Sequence, residues 1–523
     1  MTDVQIVRGE LQPWTDTNPT GGATLLALLG DLLPLRSQRT LVAGPHSVEV
    51  IELAAARSES VSVLVRSVTD AQELHAAVKD NVTVITGALD GLALSEPEPF
   101  DVIIAADGLD RVLGADSPAL NWPQRAAELW KLAGPETLAV VGVENEFALT
   151  GLYDRRPLDE RHGDDEWRPL HDDPDRPTSP AQVMAALGAE RLYATFDHTL
   201  LDTEAAATTR PGRPGARLAI GGLTAAGAHQ PLLAPLGDGA DAAARAGLLA
   251  AVAPGWLAIR GTGGGATHTA YAPAGSGVLI ADLDGDEWTV SADGGGKRLP
   301  DTESVETLLF RLAAAEDVPA FRAFAARLGA WANDEGVILL DDLFPDGETD
   351  GFVRGFTTVK STAGTSELLA AAYQRLRDRL LTGHRRHPWP PWTTESDDLV
   401  TTWLSMSGVQ ATPELLKRGR EIADQVAEPG TSEPDLRTIL ADAEEAKVRA
   451  VELAGKVFGL ERTLRFRDQS LRTREKQIRT VRDDLRGLRR SPVIRLHELT
   501  SKMAKIRNPR KFAGALKRRI RKS

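Results

Sequence analysis

The chain has 523 residues, of which 42% are hydrophobic and 26% are charged, and its formal net charge is −13. That length predicts two to four domains with hydrophobic cores. The sequence contains no cysteine, which excludes disulfides, thiolate metal sites and a thiol nucleophile. The first residues have no signal-peptide pattern and no apolar run reaches the ~20 residues of a membrane span, so we expect a cytoplasmic protein.

Residues 1–38 predict an N-terminal extension with one apolar helix, Ala23–Leu33. From residue 39 onward strands and helices alternate, which indicates an α/β domain with a doubly wound, mostly parallel, Rossmann-like sheet. The predicted strands are Thr40–Ala43, Val61–Val65, Val82–Ile85, Val102–Ala105, Thr137–Val143 and Arg191–Phe196, and the predicted helices are Val48–Ala56, Ala71–Val78 and Arg125–Leu132. The last strand is either Ala216–Ile220 or Trp256–Arg260. The sharper onset favours the second, which sets the domain at 39–262.

Residues 263–410 predict a second, α+β accessory domain. Two runs, Gly277–Asp282 and Glu287–Ser291, flank Asp284-Gly285 and predict a hairpin. Helices are expected at Val305–Ala315, Pro319–Ala330 and Glu367–Leu381. Residues 411–435 predict a linker.

Apolar residues recur every seven positions across residues 436–490, in two rows that lie three residues apart. The first row is Leu436, Ala443, Ala450, Val457, Leu464, Leu471, Ile478 and Leu485, and the second is Ile439, Ala446, Leu453, Leu460, Arg467, Arg474, Val481 and Leu488. This period predicts a coiled coil, and therefore a homo-oligomer. The two arginines weaken the second row, and Gly487 and Pro492 are expected to end the helix.

Residues 491–523 predict a basic tail. From residue 461 to residue 523 the chain carries 22 basic and 6 acidic side chains. Phe512, Leu516 and Ile520 recur at helical spacing among these cations, which is typical of an amphipathic helix on an anionic membrane. We therefore expect peripheral contact with the inner face of a membrane. A solvated helix face is the simpler alternative, and nucleic acid is a weaker one because no base-reading module is visible.

Two motifs within residues 39–196 resemble class I S-adenosylmethionine-dependent methyltransferases, and the resemblance is clearest to bacterial members associated with surface-polysaccharide biosynthesis. Phe100–Asp107 resembles the fourth-strand motif, and Leu132–Val143 followed by Glu144-Asn145 resembles the turn and fifth strand. The resemblance implies methyl transfer from S-adenosylmethionine to an oxygen or nitrogen of a small-molecule or glycan acceptor. It covers about the first half of the chain.

The cofactor loops depart from the family pattern. Where the family has an acidic residue and Gly-x-Gly-x-Gly, this chain has Val42-Ala43-Gly44-Pro45-His46-Ser47, and Pro45 has no amide to donate. Arg66 replaces the acid that accepts the ribose hydroxyls, and Asp90 is the substitute for the acid that reads the adenine. The resemblance thus implies cofactor contacts by Ala43, Gly44, Ser47, Arg66, Asp90 and Ala106.

Asp107 and His46 are the candidate catalytic residues. Asp107, with Asp110 nearby, could orient an acceptor hydroxyl for deprotonation, although acidic residues also occur in turns without function. His46 could act as a base or merely cap the helix that follows it. No metal site is predicted, because Asp282–Glu287 lacks the spaced glutamate of a calcium loop. His384–Trp392 could stack on a sugar, but a packed Trp/Pro corner is favoured.

Two hypotheses stay open. The first is a methyltransferase. The second is a catalytically inactive, methyltransferase-like scaffold that oligomerises through residues 436–490 and contacts anionic membranes through residues 491–523.

Overall fold

The computed structural model describes residues 4–11, 14–16, 18–96, 98–156, 173–227, 230–261, 263, 265–275, 277–292, 295–335, 339–357, 362–394, 397–426 and 436–506. The chain divides into two compact units, Met1–Asp435 and Leu436–Ser523. We call the first unit the body and describe each unit by itself.

A 13-stranded sheet runs through the body. Its strands are β1 (Gln5–Ile6), β2 (Ser37–Ala43), β3 (Ser58–Val65), β4 (Val82–Thr86), β5 (Phe100–Ala105), β6 (Ala133–Glu144), β7 (Arg191–Phe196), β8 (Thr199–Asp202), β9 (Gly255–Arg260), β10 (Ala270–Ala274), β11 (Gly277–Asp284), β12 (Glu287–Ala292) and β13 (Gly295–Pro300). They are arranged in the order β1-β4-β3-β2-β5-β6-β9-β7-β8-β10-β11-β12-β13. Strands β1 to β6 pair in parallel, and β9 lies antiparallel between β6 and β7. The core of the sheet therefore has the Rossmann-like methyltransferase order, and the predicted α/β fold class is confirmed.

Helices connect the strands and cover the sheet. In the first part of the body they are α1 (Ala23–Leu32), α2 (Val48–Ala56), α3 (Val68–Ala77), α4 (Leu89–Ser95), α5 (Trp122–Lys131), α6 (Leu149–Tyr153), α7 (Pro180–Leu187), α8 (Thr203–Thr208), α9 (Pro214–Gly227) and α10 (Leu236–Ala246). Successive residues of the central strands enter opposite cores: Leu41 and Ile103 pack on one face, and Val42 and Ile104 on the other. Because both faces are buried, the strands are continuously apolar, which made them recognisable in the sequence.

The sheet does not stop at residue 262. Strand β10 pairs with β8 through Ala270 and Leu201, and β11, β12 and β13 continue from it as antiparallel neighbours. The predicted hairpin is present, yet it extends the same sheet instead of opening a separate domain. The short strand β8 makes this junction, and nothing in the sequence analysis had identified it.

Residues 305–425 form a helical layer with its own apolar core. Its elements are α11 (Val305–Ala314), α12 (Val318–Glu335), β14 (Leu343–Pro345), β15 (Phe352–Arg354), α13 (Thr365–Thr382), α14 (Pro391–Thr394), α15 (Asp398–Met406) and α16 (Pro413–Gln425). Helix α16 lies inside the expected linker, residues 411–435. Thr412 caps it by accepting a hydrogen bond from the Leu415 amide at 3.2 Å, and it packs along α13.

The N-terminal residues are also part of the body. Helix α1 contributes Leu28 and Leu29 to the core on one face of the sheet, and β1 forms its edge beside β4. Residues 1–38 are thus not a peripheral extension in the part that the structure describes.

The second unit contains α17 (Leu436–Arg490) and α18 (Pro492–Ile506). Helix α17 passes through Gly487 without interruption, so the expectation that Gly487 would end it is wrong. The helix ends just before Pro492, whose ring is accommodated in the first turn of the next helix. The predicted amphipathic segment, residues 507–522, lies outside the described residues. Among the described helices none is long and apolar enough to cross a membrane.

Candidate functional site

The candidate site lies where four neighbouring parallel strands end. Strands β2, β3, β4 and β5 end at Ala43, Val65, Thr86 and Ala105. The carboxyl ends of parallel strands meet at one edge of a sheet, which is the usual ligand-binding edge of such folds. All of the residues predicted to bind the cofactor or to act in catalysis follow these four strand ends.

The first of the four loops turns at Gly44. Its backbone φ is 94°, in the left-handed region that favours glycine. A Cβ at this position would lie 3.6 Å from the Asp107 side chain, which is an ordinary contact. The backbone conformation therefore accounts for this glycine, and close approach of a ligand is not needed to explain it.

His46 is a buried link between two strand ends. Its Nδ1 donates to the Gly44 carbonyl at 3.1 Å, and its Nε2 accepts from the Ala106 amide at 3.1 Å. Burial lowers the pKa of the His46 imidazole, and the Asp107 charge only partly opposes this shift. The ring is therefore neutral near pH 7 with both nitrogens engaged, so it can hold the loop but has no lone pair left for an acceptor proton.

Residues 7–11, 14–16 and 18–22, which we call the crossing segment, lie across the four strand ends. The segment bonds through its backbone to the loops after β4, β3 and β2, and it bonds to side chains of the loop after β5. The Val7 amide donates to the Thr86 carbonyl, the Ala88 amide to Arg8, the Leu11 amide to Arg66, and the Thr20 amide to Pro45, at 2.8–2.9 Å. The Ser47 amide donates back to the Thr20 carbonyl at 2.9 Å. That amide belongs to the loop in which the resemblance implies cofactor contacts.

A buried ion pair holds the middle of the crossing segment. Asp16 accepts from Arg66 Nε at 2.9 Å and from Arg66 Nη2 at 2.6 Å, and both side chains are almost fully buried. The Asp16 amide donates to Asp70 at 2.8 Å. Such a two-point guanidinium–carboxylate contact is strong and geometrically specific. Arg66, at the position where the resemblance implies a ribose-binding acid, therefore binds the chain's own carboxylate.

The predicted acidic residues are likewise bonded to this segment or to its neighbours. Asp107 accepts from Thr20 Oγ1 at 2.7 Å and forms an ion pair with Arg111 through both of its carboxylate oxygens. Asp90 forms an ion pair with Arg8 and accepts from Ser117 Oγ at 2.6 Å. Asp107 thus holds the crossing segment over the cleft. A catalytic base would instead need a carboxylate oxygen that is accessible to the substrate.

The crossing segment packs against the loops at backbone distance. A Cβ on Gly114 would lie 1.7 Å from the Gly9 carbonyl oxygen, and one on Gly91 would lie 2.3 Å from the Arg8 carbonyl oxygen. A Cβ on Gly9 would lie 2.4 Å from the Ala88 Cβ. The β4 end of the cleft, where the resemblance places the adenine, is therefore filled by main chain. In this conformation the residues present do not fit a bound S-adenosylmethionine.

The sequence analysis missed the residues that fill the cleft, namely Arg8, Trp14, Asp16 and Thr20. They lie in residues 1–38, which were assigned to an extension. One signal was available. An arginine at the end of a buried strand needs an anionic partner, and Asp16 is one of the few acids among the preceding residues.

Two other expected residues have structural partners. Asp110 accepts from Arg125 Nη1 and from Arg176 Nη2, each at 2.7 Å. Asn145 donates to the carbonyls of Ala251 and Ala253, each at 2.8 Å, and so ties the end of β6 to the approach of β9. These contacts account for the positions of Asp110 and Asn145 without a bound methyl acceptor.

Two other kinds of site were considered in the sequence, a metal site and a sugar-stacking site at residues 384–392. No group of histidine and acidic residues with metal-binding geometry occurs among the described residues. Trp389 packs edge-on against Phe321 and Trp403 with ring centroids 5.2 Å apart, and it stacks with His387. The packed-corner interpretation of residues 384–392 agrees with these contacts for Trp389, whereas Trp392 is exposed and does not pack in the corner.

Comparisons with known proteins find similarity over part of the chain. No protein-family model and no curated protein matches it. Among solved structures, N-methyltransferase NodS from Bradyrhizobium japonicum WM9, in complex with S-adenosyl-L-homocysteine, is 16% identical with a TM-score of 0.19. That match covers 24% of this chain and 59% of NodS, so the chain spans little more than half of that protein.

Two further structures are similar in the same way. A putative sarcosine dimethylglycine methyltransferase from Galdieria sulphuraria is 13% identical with a TM-score of 0.24, over 45% of this chain and 81% of that one. A putative S-adenosylmethionine dependent methyltransferase from Listeria monocytogenes is 15% identical with a TM-score of 0.19, over 24% of this chain and 53% of that one. These similarities concern part of the fold alone.

Proposed function

We propose that the body is a methyltransferase-like platform that performs no methyl transfer, and that the protein acts through assembly. One observation supports this function above all others. The crossing segment bonds through its backbone to the loops after β4, β3 and β2, and through Thr20 and Asn18 to the side chains of Asp107 and Arg111 in the loop after β5. S-adenosylmethionine would have to lie at these four loops. Four of the predicted site residues hold this segment in place: Ser47, Arg66, Asp90 and Asp107.

The segment is costly to displace. Moving it separates the buried Asp16–Arg66 pair and the Thr20–Asp107 hydrogen bond at once. Loss of a buried charge partner costs about 3–5 kcal/mol. A cofactor that had to supply this free energy would bind roughly 10²–10³-fold more weakly than to an open cleft. Methyl transfer to an oxygen or nitrogen of a small-molecule or glycan acceptor therefore requires a second conformation.

The platform role is supported by the second unit. Helix α17 exposes an apolar row along its length, as expected for a chain that oligomerises. Contact of residues 491–523 with an anionic membrane belongs to the same proposal and is supported by their charge.

A calorimetric titration with S-adenosylhomocysteine tests the proposal. We expect no saturable heat from the full chain at millimolar ligand. The same result is expected for Asp16→Ala, which loosens the crossing segment, and for Thr15→Ala, an exposed neighbour that serves as the matched control. Near-ultraviolet circular dichroism verifies that each variant is folded.

Binding by the full chain would overturn the proposal in favour of a methyltransferase. Binding by Asp16→Ala alone would overturn it as well, because it would show an enzyme held closed by its own segment.

A further inference from the structure

The described part of α17 presents an uncovered apolar face. Leu453, Leu460, Leu464 and Ile478 are 60%, 64%, 65% and 53% exposed, and other members of the two seven-residue rows are similarly accessible. Within the described residues of the second unit neither row is covered, so a helix of 55 residues, roughly 80 Å long, exposes an apolar seam along its length.

We propose that α17 binds a second copy of this chain as a parallel, in-register, two-stranded coiled coil. The inference rests on the proposed platform function and identifies its partner. Its evidence is the charge pattern beside the seam and the two arginine layers within it.

The charges beside the seam favour a parallel dimer. With the first row as a and the second as d, each g residue of one parallel helix faces the e residue five positions later in its partner. The chain then pairs Asp442 with Lys447, Lys456 with Glu461, and Asp484 with Arg489. The remaining facing pairs are Arg449 with Ala454, Thr463 with Asp468, Ser470 with Glu475, and Gln477 with Arg482, so no like charges meet at these g and e positions.

An antiparallel pair with full overlap is less favourable. It sets g residues opposite g residues, so that Asp442 faces Asp484 of the other copy. Like charges at such positions repel and select against that orientation.

The arginine layers favour one register. Arg467 and Arg474 occupy d positions, and each is followed at e by an acid, Asp468 and Glu475. In a parallel pair the e residue lines the hole that receives the partner's d side chain, so each guanidinium meets a carboxylate. A shift by one heptad would instead place one of the arginines against Leu460 or Val481. Polar layers of this kind specify register at some cost in stability.

Because the natural chain contains no cysteine, single cysteines test orientation and register directly. We expect Ala446→Cys and Leu485→Cys, each near one end of α17, to form disulfide-linked dimers under mild oxidation. Glu445→Cys and Arg486→Cys are matched controls on the outer face and are expected to cross-link far less. In an antiparallel dimer identical residues near the ends would lie tens of Å apart.

Sedimentation equilibrium tests the seam itself. The full chain is expected to have twice the monomer mass, and Leu464→Asp with Leu471→Asp to weaken association by more than tenfold. Phe466→Asp alters an equally exposed apolar residue outside the two rows and is expected to leave the dimer intact. A monomeric full chain, equal effects of both changes, or equal cross-linking of seam and control cysteines would each overturn the inference. None of these outcomes bears on cofactor binding. The dimer inference can therefore fail while the proposal that the crossing segment fills the cleft stands.

Discussion

At the scale of single residues, Arg66 changes the chemistry of the cleft more than the altered glycine loop does. A guanidinium cannot accept the ribose hydroxyls, and once buried it requires an anion. Asp16 supplies that anion from 50 residues away in the sequence. At this strand end the side chain therefore makes an internal contact.

A second residue-scale feature is the buried pair Glu306 and Asp341, which shares Arg379. Arg379 lies 3.3 Å from the Glu306 carboxylate and 2.9 Å from the Asp341 carboxylate, and Arg217 lies 3.1 Å from Asp341. Burial raises the pKa of Glu306 to about 7, against the attraction of Arg379 and with the Asp341 charge adding to the shift. For Asp341, burial is outweighed by Arg217 and Arg379, which lower its pKa.

Stability should therefore depend on the protonation of Glu306. The pKa of Glu306 in the folded chain lies above the ordinary glutamate pKa of 4.5, so its contribution to stability is fully present below about pH 4.5 and is lost as the pH rises through about 7. Glu306→Gln keeps the side chain neutral. We expect it to raise the free energy of unfolding by about 1–3 kcal/mol at about pH 8 and to change it little near pH 5. Urea denaturation at both pH values measures this.

Glu303→Gln is the control, because Glu303 precedes α11 in the chain and its side chain is more exposed than that of Glu306. The change in the free energy of unfolding caused by this control should not differ between the two pH values. A Glu306→Gln variant that is less stable than the natural chain at the higher pH would contradict the argument.

At the scale of elements, the crossing segment depends on three glycines that let main chain approach main chain. Gly9, Gly91 and Gly114 each leave space that a Cβ would fill. The segment can therefore lie flat on the loops without a gap. This contact surface is as important to its placement as the Asp16–Arg66 pair.

Gly114→Ala tests that contact. The added methyl group would lie 1.7 Å from the Gly9 carbonyl oxygen, so the segment must move. We expect a loss of about 1–3 kcal/mol in the free energy of unfolding and faster hydrogen exchange at the Leu11 and Ser47 amides. Mass-spectrometric hydrogen exchange measures both regions in one experiment.

Gly30→Ala is the matched control. Gly30 lies within α1, and a Cβ there meets no atom within 4 Å, so this change should be neutral or stabilising. Unchanged exchange in Gly114→Ala would show that the segment is held by something other than this close packing.

At the scale of the whole molecule, the C-terminal part of the chain is basic and the rest is acidic. Residues 461–523 carry 22 basic and 6 acidic side chains within a chain of net charge −13. A chain with this asymmetry is drawn to anionic surfaces through its basic end and repelled from them elsewhere.

Vesicle co-sedimentation tests that expectation. We expect the full chain to bind vesicles that contain phosphatidylserine, to bind pure phosphatidylcholine vesicles far less, and to dissociate as the salt concentration rises. Removal of residues 491–523 should abolish binding while leaving the coiled-coil helix in place. Salt-insensitive binding, or equal binding without these residues, would refute the membrane proposal.

The sheet could be predicted because its evidence is local. Apolar runs bounded by turn signals identified β2 to β7, and a sharp onset correctly favoured β9 over Ala216–Ile220, which belongs to helix α9. The continuation through β10 to β13 could not be predicted in the same way. It depends on β8, a strand of four residues whose partner is far along the chain.

The sequence alone determined the fold class, the strand ends at which a ligand would bind, and the seven-residue rows of α17, because each is written in short-range periodicity. Only the tertiary structure decided what occupies the cleft. The contacts that fill it join the crossing segment to loops about 25 to 105 positions later, as in the pairs Thr20–Pro45, Asp16–Arg66 and Gly9–Gly114. Pairings over such separations leave no periodic trace, since they are selected by the packing of the whole body.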